Sequence, residues 1–234
     1  MSREIEKEHQ VGTLSNQQGL DEQGLDLQKN DQQNHDEKSH IVKEHFDSEK
    51  IQQRYPAIER KPLTLTINGE EVGPIEVPLT MTMIDFLHEY LDLTGTHFGC
   101  GQGICHACTV MEIHPDGSKS ETRTCIFGAH YFAGKNIVTI EGQATKKDGV
   151  LILTPIQQAF IDNFAFQCGY CAPGFVAGAT VFLDRLNRHP IKRANLEKAI
   201  EEALNDHICR CTGYVRYYEA IRDVALATPG CVID

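Results

Sequence analysis

The chain has 234 residues, a formal net charge of −11 and a hydrophobic content of 41%. So acidic a balance argues against nucleic acid as a partner, because phosphate recognition needs a positive footprint. No stretch approaches the roughly 18–20 apolar residues of a membrane span, and the length suggests one or two domains.

Residues 1–60 are polar and low in complexity, with Asn30-Asp31-Gln32-Gln33-Asn34 among them and no aromatic side chain before Phe46. A segment of this kind buries too little apolar surface to offset its ordering entropy. We expect a disordered extension or an arm that folds onto a partner. Glu44, His45 and Asp47 fall together here by polar composition and are read as no site. The segment has no apolar leader and no twin arginine, so a cytoplasmic location is expected.

From Pro62 the pattern changes. Residues 63–67 alternate with period two, Asn68-Gly69 supplies a hairpin turn, and residues 72–77 return as the second strand. Thr82 is placed to cap a helix over residues 83–91. A Gly-rich loop follows, then strands over 109–113, 122–126 and 137–140, the first two separated by the turn Pro115-Asp116-Gly117. This is the order of a small α+β sheet domain, residues 61–142, with a helix across one face. Residues 143–152 read as a polar linker.

The next segment, residues 153–228, is helical. Thr154-Pro155 marks an N-terminus, and Ile156, Ala159 and Phe160 form a buried stripe. Helical periods recur through Phe175–Leu186, through Leu196–Leu204 with Asn195 as cap, and through Tyr217, Ile221 and Val224. Four helices make a bundle, and residues 229–234 are left as a tail.

Nine cysteines punctuate this framework. Cys-x-x-Cys and Cys-x-Cys pairs are too tightly spaced for ordinary structural disulfides, so metal ligation is the better reading. Cys100, Cys105 and Cys108, completed by the remote Cys125, reproduce the spacing with which plant-type ferredoxins hold a [2Fe-2S] cluster. Glycines in the loop let backbone N–H groups approach sulfur, which side chains obstruct. A four-cysteine zinc site favours two close pairs instead. His106 does not make a Rieske site, which needs two histidines on one iron; it is expected to be an exposed loop residue.

The second set is Cys168, Cys171, Cys209 and Cys211, at helix junctions. Cys168-Gly169-Tyr170-Cys171 alone could be a thioredoxin-like pair, but the helical flanks and the second close pair point to one shared metal centre. Spacing leaves zinc open for this set. Cys231 has no cysteine neighbour and is expected to ligate nothing. Two clusters in one chain describe an electron relay. The competing classes are a two-site zinc adaptor and a free-standing ferredoxin.

Gln167-Cys168-Gly169-Tyr170-Cys171-Ala172-Pro173-Gly174 and Asn205-Asp206-His207-Ile208-Cys209-Arg210-Cys211-Thr212-Gly213-Tyr214 resemble the iron–sulfur subunit of the xanthine oxidase and aldehyde oxidoreductase family of molybdenum hydroxylases. The resemblance spans about residues 62–228. It implies a plant-type ferredoxin-like (β-grasp) domain followed by an all-α four-helix domain, each with a [2Fe-2S] cluster. It also implies a separate large subunit that carries molybdopterin and hydroxylates an aldehyde or N-heterocycle, leaving no catalytic residue here. Electrons would leave to an FAD subunit, a cytochrome subunit or another acceptor. By the same resemblance, Gln167 and Cys211 face the partner's molybdopterin. The chain departs from the family at His106, where glycine is usual, in a longer interval between Cys108 and Cys125 around residues 115–119, and in the N-terminal extension. The first two are expected where an electron acceptor docks.

Overall fold

The structure is a computed structural model that describes residues 58–234. The polar extension, with Glu44, His45 and Asp47, therefore lies almost wholly outside the described residues.

Strands β1 (Arg60–Ile67) and β2 (Glu70–Pro78) form an antiparallel hairpin. Asn68 and Gly69 turn it with φ of 55° and 87°, the paired left-handed conformations of the tightest hairpin turn. Helix α1 (Met83–Leu91) starts at Thr82, whose hydroxyl accepts from the Asp85 N–H. Strands β3 (Thr109–Ile113), β4 (Lys119–Arg123) and β5 (Asn136–Val138) complete a five-stranded sheet in the order β2-β1-β5-β3-β4. The pair β1–β5 is parallel and the rest are antiparallel. Leu63, Leu65, Ile67, Phe86, Leu87, Val110, Phe132 and Ile137 close one core between sheet and α1.

Two strand boundaries differ from the sequence reading. β4 ends at Arg123, so Cys125 and Ile126 sit in the turn beyond it rather than in a strand. β5 ends at Val138, and residues Ile140–Gly142 coil into a 3-10 turn. The residues read as linker are not plain coil. They contain a hairpin of β6 (Thr145–Lys147) and β7 (Val150–Ile152). Its turn is Asp148-Gly149, with φ of 52° and 80°. Asp-Gly is a strong hairpin signal, and the apolar run Val150-Leu151-Ile152 follows it directly.

The helical half holds α2 (Pro155–Asp162), α3 (Ala172–Arg188), α4 (Leu196–Leu204) and α5 (Val215–Ala227). Thr154 and Gln157 form a reciprocal capping box on α2. Asn195 makes no capping hydrogen bond through its side chain, contrary to expectation; a 3-10 turn over Arg193–Asn195 leads into α4 instead. The C-terminal residues are also more than a tail. β9 (Val232–Ile233) pairs in parallel with β8 (Ile191–Lys192), and Cys231 is buried in the helical core with Phe182, Leu186 and Ile221.

The halves are not strung apart. The long helix α3 packs along β3 and β4. Its Asp184 carboxylate accepts from the Lys119 N–H at 3.3 Å. The end of the turn around residues 115–119 is thus tied to the helical half at Lys119, while Pro115, Asp116 and Gly117 are exposed.

Candidate metal centres

The first cysteine set lies in the loop after α1 and in the turn after β4. Cys108 and Cys125 are buried together with Ile84 of α1, whereas Cys100 and Cys105 are half-buried. The loop folds its backbone around Cys100. The N–H groups of Gln102, Ile104 and Cys105 donate to its Sγ at 3.3, 3.3 and 3.4 Å. Gly101 and Gly103 make this possible with φ of 65° and 68°, a backbone that L side chains avoid. Burial opposes ionisation of Cys100, but the three N–H donors outweigh it and bring its pKa down to about 6. Cys108 behaves in the opposite way: burial pushes its thiol up to about 12.

The second set is built on helix ends. Cys171 is the residue before α3, and Cys209 and Cys211 lie in the loop between α4 and α5. Cys171 and Cys209 are buried, whereas Cys168 and Cys211 are exposed. The Sγ atoms of Cys168 and Cys211 stand 3.6 Å apart. That is far beyond a disulfide bond of about 2.05 Å. It matches the edge of a tetrahedron of metal–sulfur bonds about 2.3 Å long, roughly 3.8 Å.

Side-chain hydroxyls serve this set. Thr212 donates to Cys209 Sγ at 3.1 Å, and the Tyr217 hydroxyl lies 3.5 Å from Cys171 Sγ. Burial pushes the Cys171 thiol up to about 11, although Tyr217 works against the rise. For Cys209 burial is overcome by the Thr212 hydroxyl and nearby backbone N–H groups, so its pKa falls below the ordinary value. Sequence reasoning did not single out Thr212 or Tyr217 as sulfur partners. Tyr217 was legible only as a helical core position, and it is one: its ring stacks on Phe175 with centroids 4.2 Å apart.

A single cavity brings the sets together. It is lined by all four cysteines of the second set and by Gly99, Cys100, Cys105 and Ala107 from the first loop. The Ile208 N–H donates to the Cys105 carbonyl at 3.1 Å, which ties the residue before Cys209 directly to a residue of the first set. Tyr170 adds a second tie, donating its hydroxyl to the Phe98 carbonyl at 2.6 Å. Gln167 is exposed beside Cys168.

His106 is where the structure departs most from the sequence reading. It is 8% exposed and faces the helical half, not solvent. Burial pushes its pKa down, and His207 and Arg123 nearby add to the fall against Glu121 and Asp206.

Two family matches fall on these two sites. Residues 65–127 match the 2Fe-2S iron-sulfur cluster binding domain, and residues 139–222 match the [2Fe-2S] binding domain. The chain is 36% identical over 181 residues to the aldehyde oxidoreductase iron-sulfur-binding subunit PaoA of Escherichia coli O157:H7, covering 73% of this chain and 74% of that one. It is 35% identical over 165 residues to the nicotine 6-hydroxylase small subunit of Paenarthrobacter nicotinovorans, with 70% and 90% covered. The chain belongs to the iron–sulfur subunits of the molybdenum hydroxylases.

The likeness extends to solved structures. Quinoline 2-oxidoreductase from Pseudomonas putida 86 superposes with a TM-score of 0.60 at 30% identity, covering 74% of this chain and 94% of that chain. The family's iron–sulfur region also occurs inside far longer proteins. This chain matches rat aldehyde oxidase 2 at 32% identity but spans only 13% of its length. The ferredoxin-like sheet domain followed by the helical domain is the arrangement expected from the sequence, and two iron–sulfur binding regions follow from the two matches. Among the described residues no helix is long and apolar enough to cross a membrane.

Proposed function

We propose that the chain is the electron relay of a multi-subunit molybdenum hydroxylase. One [2Fe-2S] cluster would be held by Cys100, Cys105, Cys108 and Cys125, and another by Cys168, Cys171, Cys209 and Cys211. The observation that carries the reading is the shared cavity, where both sets converge and the Ile208–Cys105 hydrogen bond joins them. When bound, such clusters supply one-electron storage at potentials set by ligation, hydrogen bonds to sulfur and exposure.

The chain's own residues fit that chemistry. Backbone N–H groups around Cys100 and hydroxyls at Cys171 and Cys209 stabilise negative charge on sulfur, as a reducible thiolate centre requires. The two exposed ligands, Cys168 and Cys211, put one edge of the second set at the surface beside Gln167. Phe164, Phe166 and Val215 are exposed large apolar side chains in the flanking segments. An apolar surface around an exposed redox edge suits a protein partner. On this reading Gln167 and Cys211 meet the molybdopterin of a larger subunit, where an aldehyde or N-heterocycle is hydroxylated. The ferredoxin-like half then delivers electrons to a flavin, cytochrome or other acceptor.

Affinity isolation of the full chain from its native cells, followed by molybdenum and pterin analysis, tests the partnership. We expect molybdenum to co-purify in stoichiometric amount with a larger polypeptide. A chain that emerges alone, loaded with iron and free of molybdenum, would instead be a free-standing ferredoxin.

A further inference from the structure

Each cysteine motif carries a histidine that belongs to neither ligand set. His106 follows Cys105 directly, and His207 stands two residues before Cys209. Both rings are buried, His207 to 1% exposure, and they meet edge to face with centroids 4.9 Å apart. Glu121 and Arg123, two residues apart on β4 and so on the same face of the sheet, complete the cluster. The His207 Nε2–H donates to Glu121 Oε2 at 2.9 Å, and His106 Nδ1 lies 3.9 Å from the same oxygen. An Arg123 guanidinium N–H donates to His106 Nε2 at 2.9 Å. Guanidinium has no acceptor, so His106 Nε2 is the unprotonated nitrogen and Nδ1 carries the proton, towards Glu121.

This cluster adjoins the backbone hydrogen bond from Ile208 to Cys105. Each histidine is the chain neighbour of one end of that bond. Helix α3 seats both of them through glycines one turn apart. A Cβ at Gly174 would come within 2.2 Å of the His106 carbonyl oxygen, and one at Gly178 within 2.5 Å of His207 Nε2. Larger residues would push the two loops off the helix.

We propose that His106, Glu121, His207 and Arg123 form a latch that holds the Ile208–Cys105 hydrogen bond closed and thereby fixes the separation and orientation of the two cysteine sets. They are positioning residues. The value of a fixed separation rests on the relay reading, since only electron exchange between the centres depends steeply on it. Ligand atoms of His106, Glu121 and His207 lie within 4.8 Å of one another, close enough to hold an ion. Arg123 disfavours such an ion. An ion on His106 Nδ1 would drive the ring proton to Nε2, against a guanidinium N–H, and an ion on Nε2 would have to displace the guanidinium.

The test uses the full, cluster-loaded chain as wild type, His106→Gly, His207→Ala and His207→Gln. Glycine is at ease at position 106, where φ is 57°, so that variant removes the ring without adding backbone strain. Three quantities are read: iron content, hydrogen exchange at the Ile208 amide, and the magnetic interaction between the two reduced centres. We expect His106→Gly and His207→Ala to keep their iron and to exchange the Ile208 amide about tenfold faster or more, the scale of unpairing a buried polar group. The magnetic interaction should change with them. His207→Gln, whose amide N–H can still reach Glu121, should return both readings towards wild type. Unchanged exchange and interaction in both loaded variants would overturn the latch, as would a divalent ion beyond the cluster iron that is lost with His207→Ala. A wild-type chain without iron or sulfide would sink the relay reading instead, and Ile208 exchange in that chain would still decide the latch.

Discussion

In the first cysteine set the backbone supplies the hydrogen bonds to sulfur, three of them converging on Cys100. In the second, side-chain hydroxyls join the backbone, from Thr212 to Cys209 and from Tyr217 beside Cys171, with the Cys211 and Thr212 N–H groups also acting on Cys209. The difference follows from the local fold. A Gly-rich loop has free N–H groups and no side chains in the way, so it can wrap a thiolate. The second set sits before helix N-termini and in the loop between α4 and α5, where neighbouring hydroxyls reach the sulfurs in addition to backbone N–H groups. Exposure divides the sets too: Cys108 and Cys125 are buried against α1, while Cys168 and Cys211 open to the surface. The helix-end set is the more exposed of the two, with Cys100 and Cys105 of the loop-held set only half-buried.

The comparison breaks most directly by removing one ligand from each set. Cys125→Ser and Cys209→Ser should each lower the iron content from about four to about two per chain, because each cluster of this type needs its own four thiolates. The surviving paramagnetic signal should differ between the two variants. Loss of both signals from either one, in protein shown to be folded, would mean that the ligand sets are wrongly paired.

Gly174→Ala probes the contact between the halves. The added Cβ would press on the His106 backbone carbonyl, which cannot swing aside as a side chain would. Overpacking of this kind costs about 1–3 kcal/mol, against about 1 kcal/mol gained in helix preference. We expect a net loss, read as a thermal midpoint lower by a few degrees. A midpoint at or above wild type would show that α3 is not seated on the first loop in this way.

The buried thiols give the comparison a pH signature in the metal-free chain. Cys108 and Cys171 are pushed from the ordinary 9.0 up to about 12 and about 11. Their folded-state values are raised, so their contribution to stability is full below about pH 9 and lost as pH climbs towards those values. The thermal midpoint of the metal-free chain should therefore fall above about pH 9. Metal binding requires thiolates, so the loaded chain should lose its clusters on acidification instead.

The smallest effect expected is that of Tyr217→Phe. It removes one hydroxyl from the second set and leaves the stacked ring in place. The reduction potential of the helix-end centre should fall modestly, since a hydrogen bond to sulfur stabilises the reduced, more negative state. The loop-held centre should not move. Redox titration followed by electron paramagnetic resonance separates the two, and a shift in the loop-held centre would contradict the assignment of Tyr217.

Much of the fold was legible because its signals are local. Asn68-Gly69 dictates a hairpin, Thr154-Pro155 a helix start, and the cysteine spacings follow from how few residues can span one metal centre. The errors lie where tertiary contacts decide. Nothing local to His106 shows that it turns inward; that depends on Glu121 and Arg123 arriving from β4 and on glycines of α3 making room. Cys231 and the C-terminal strand read as tail because a two-residue strand becomes visible only when β8 is placed beside it. Asp148-Gly149 is a different case: its hairpin signal was present in the sequence, with the apolar run Val150-Leu151-Ile152 directly after it, and was passed over.

The account stands on the claim that the eight thiolates hold two distinct [2Fe-2S] clusters. Iron, acid-labile sulfide and zinc analysis of the purified chain, with electron paramagnetic resonance after dithionite reduction, measures that directly. We predict about four iron and about four sulfide per chain, no stoichiometric zinc, and two distinguishable signals, one for the loop-held and one for the helix-end environment. Stoichiometric zinc without sulfide, in a chain that stays colourless, would contradict the relay and leave a structural adaptor in its place.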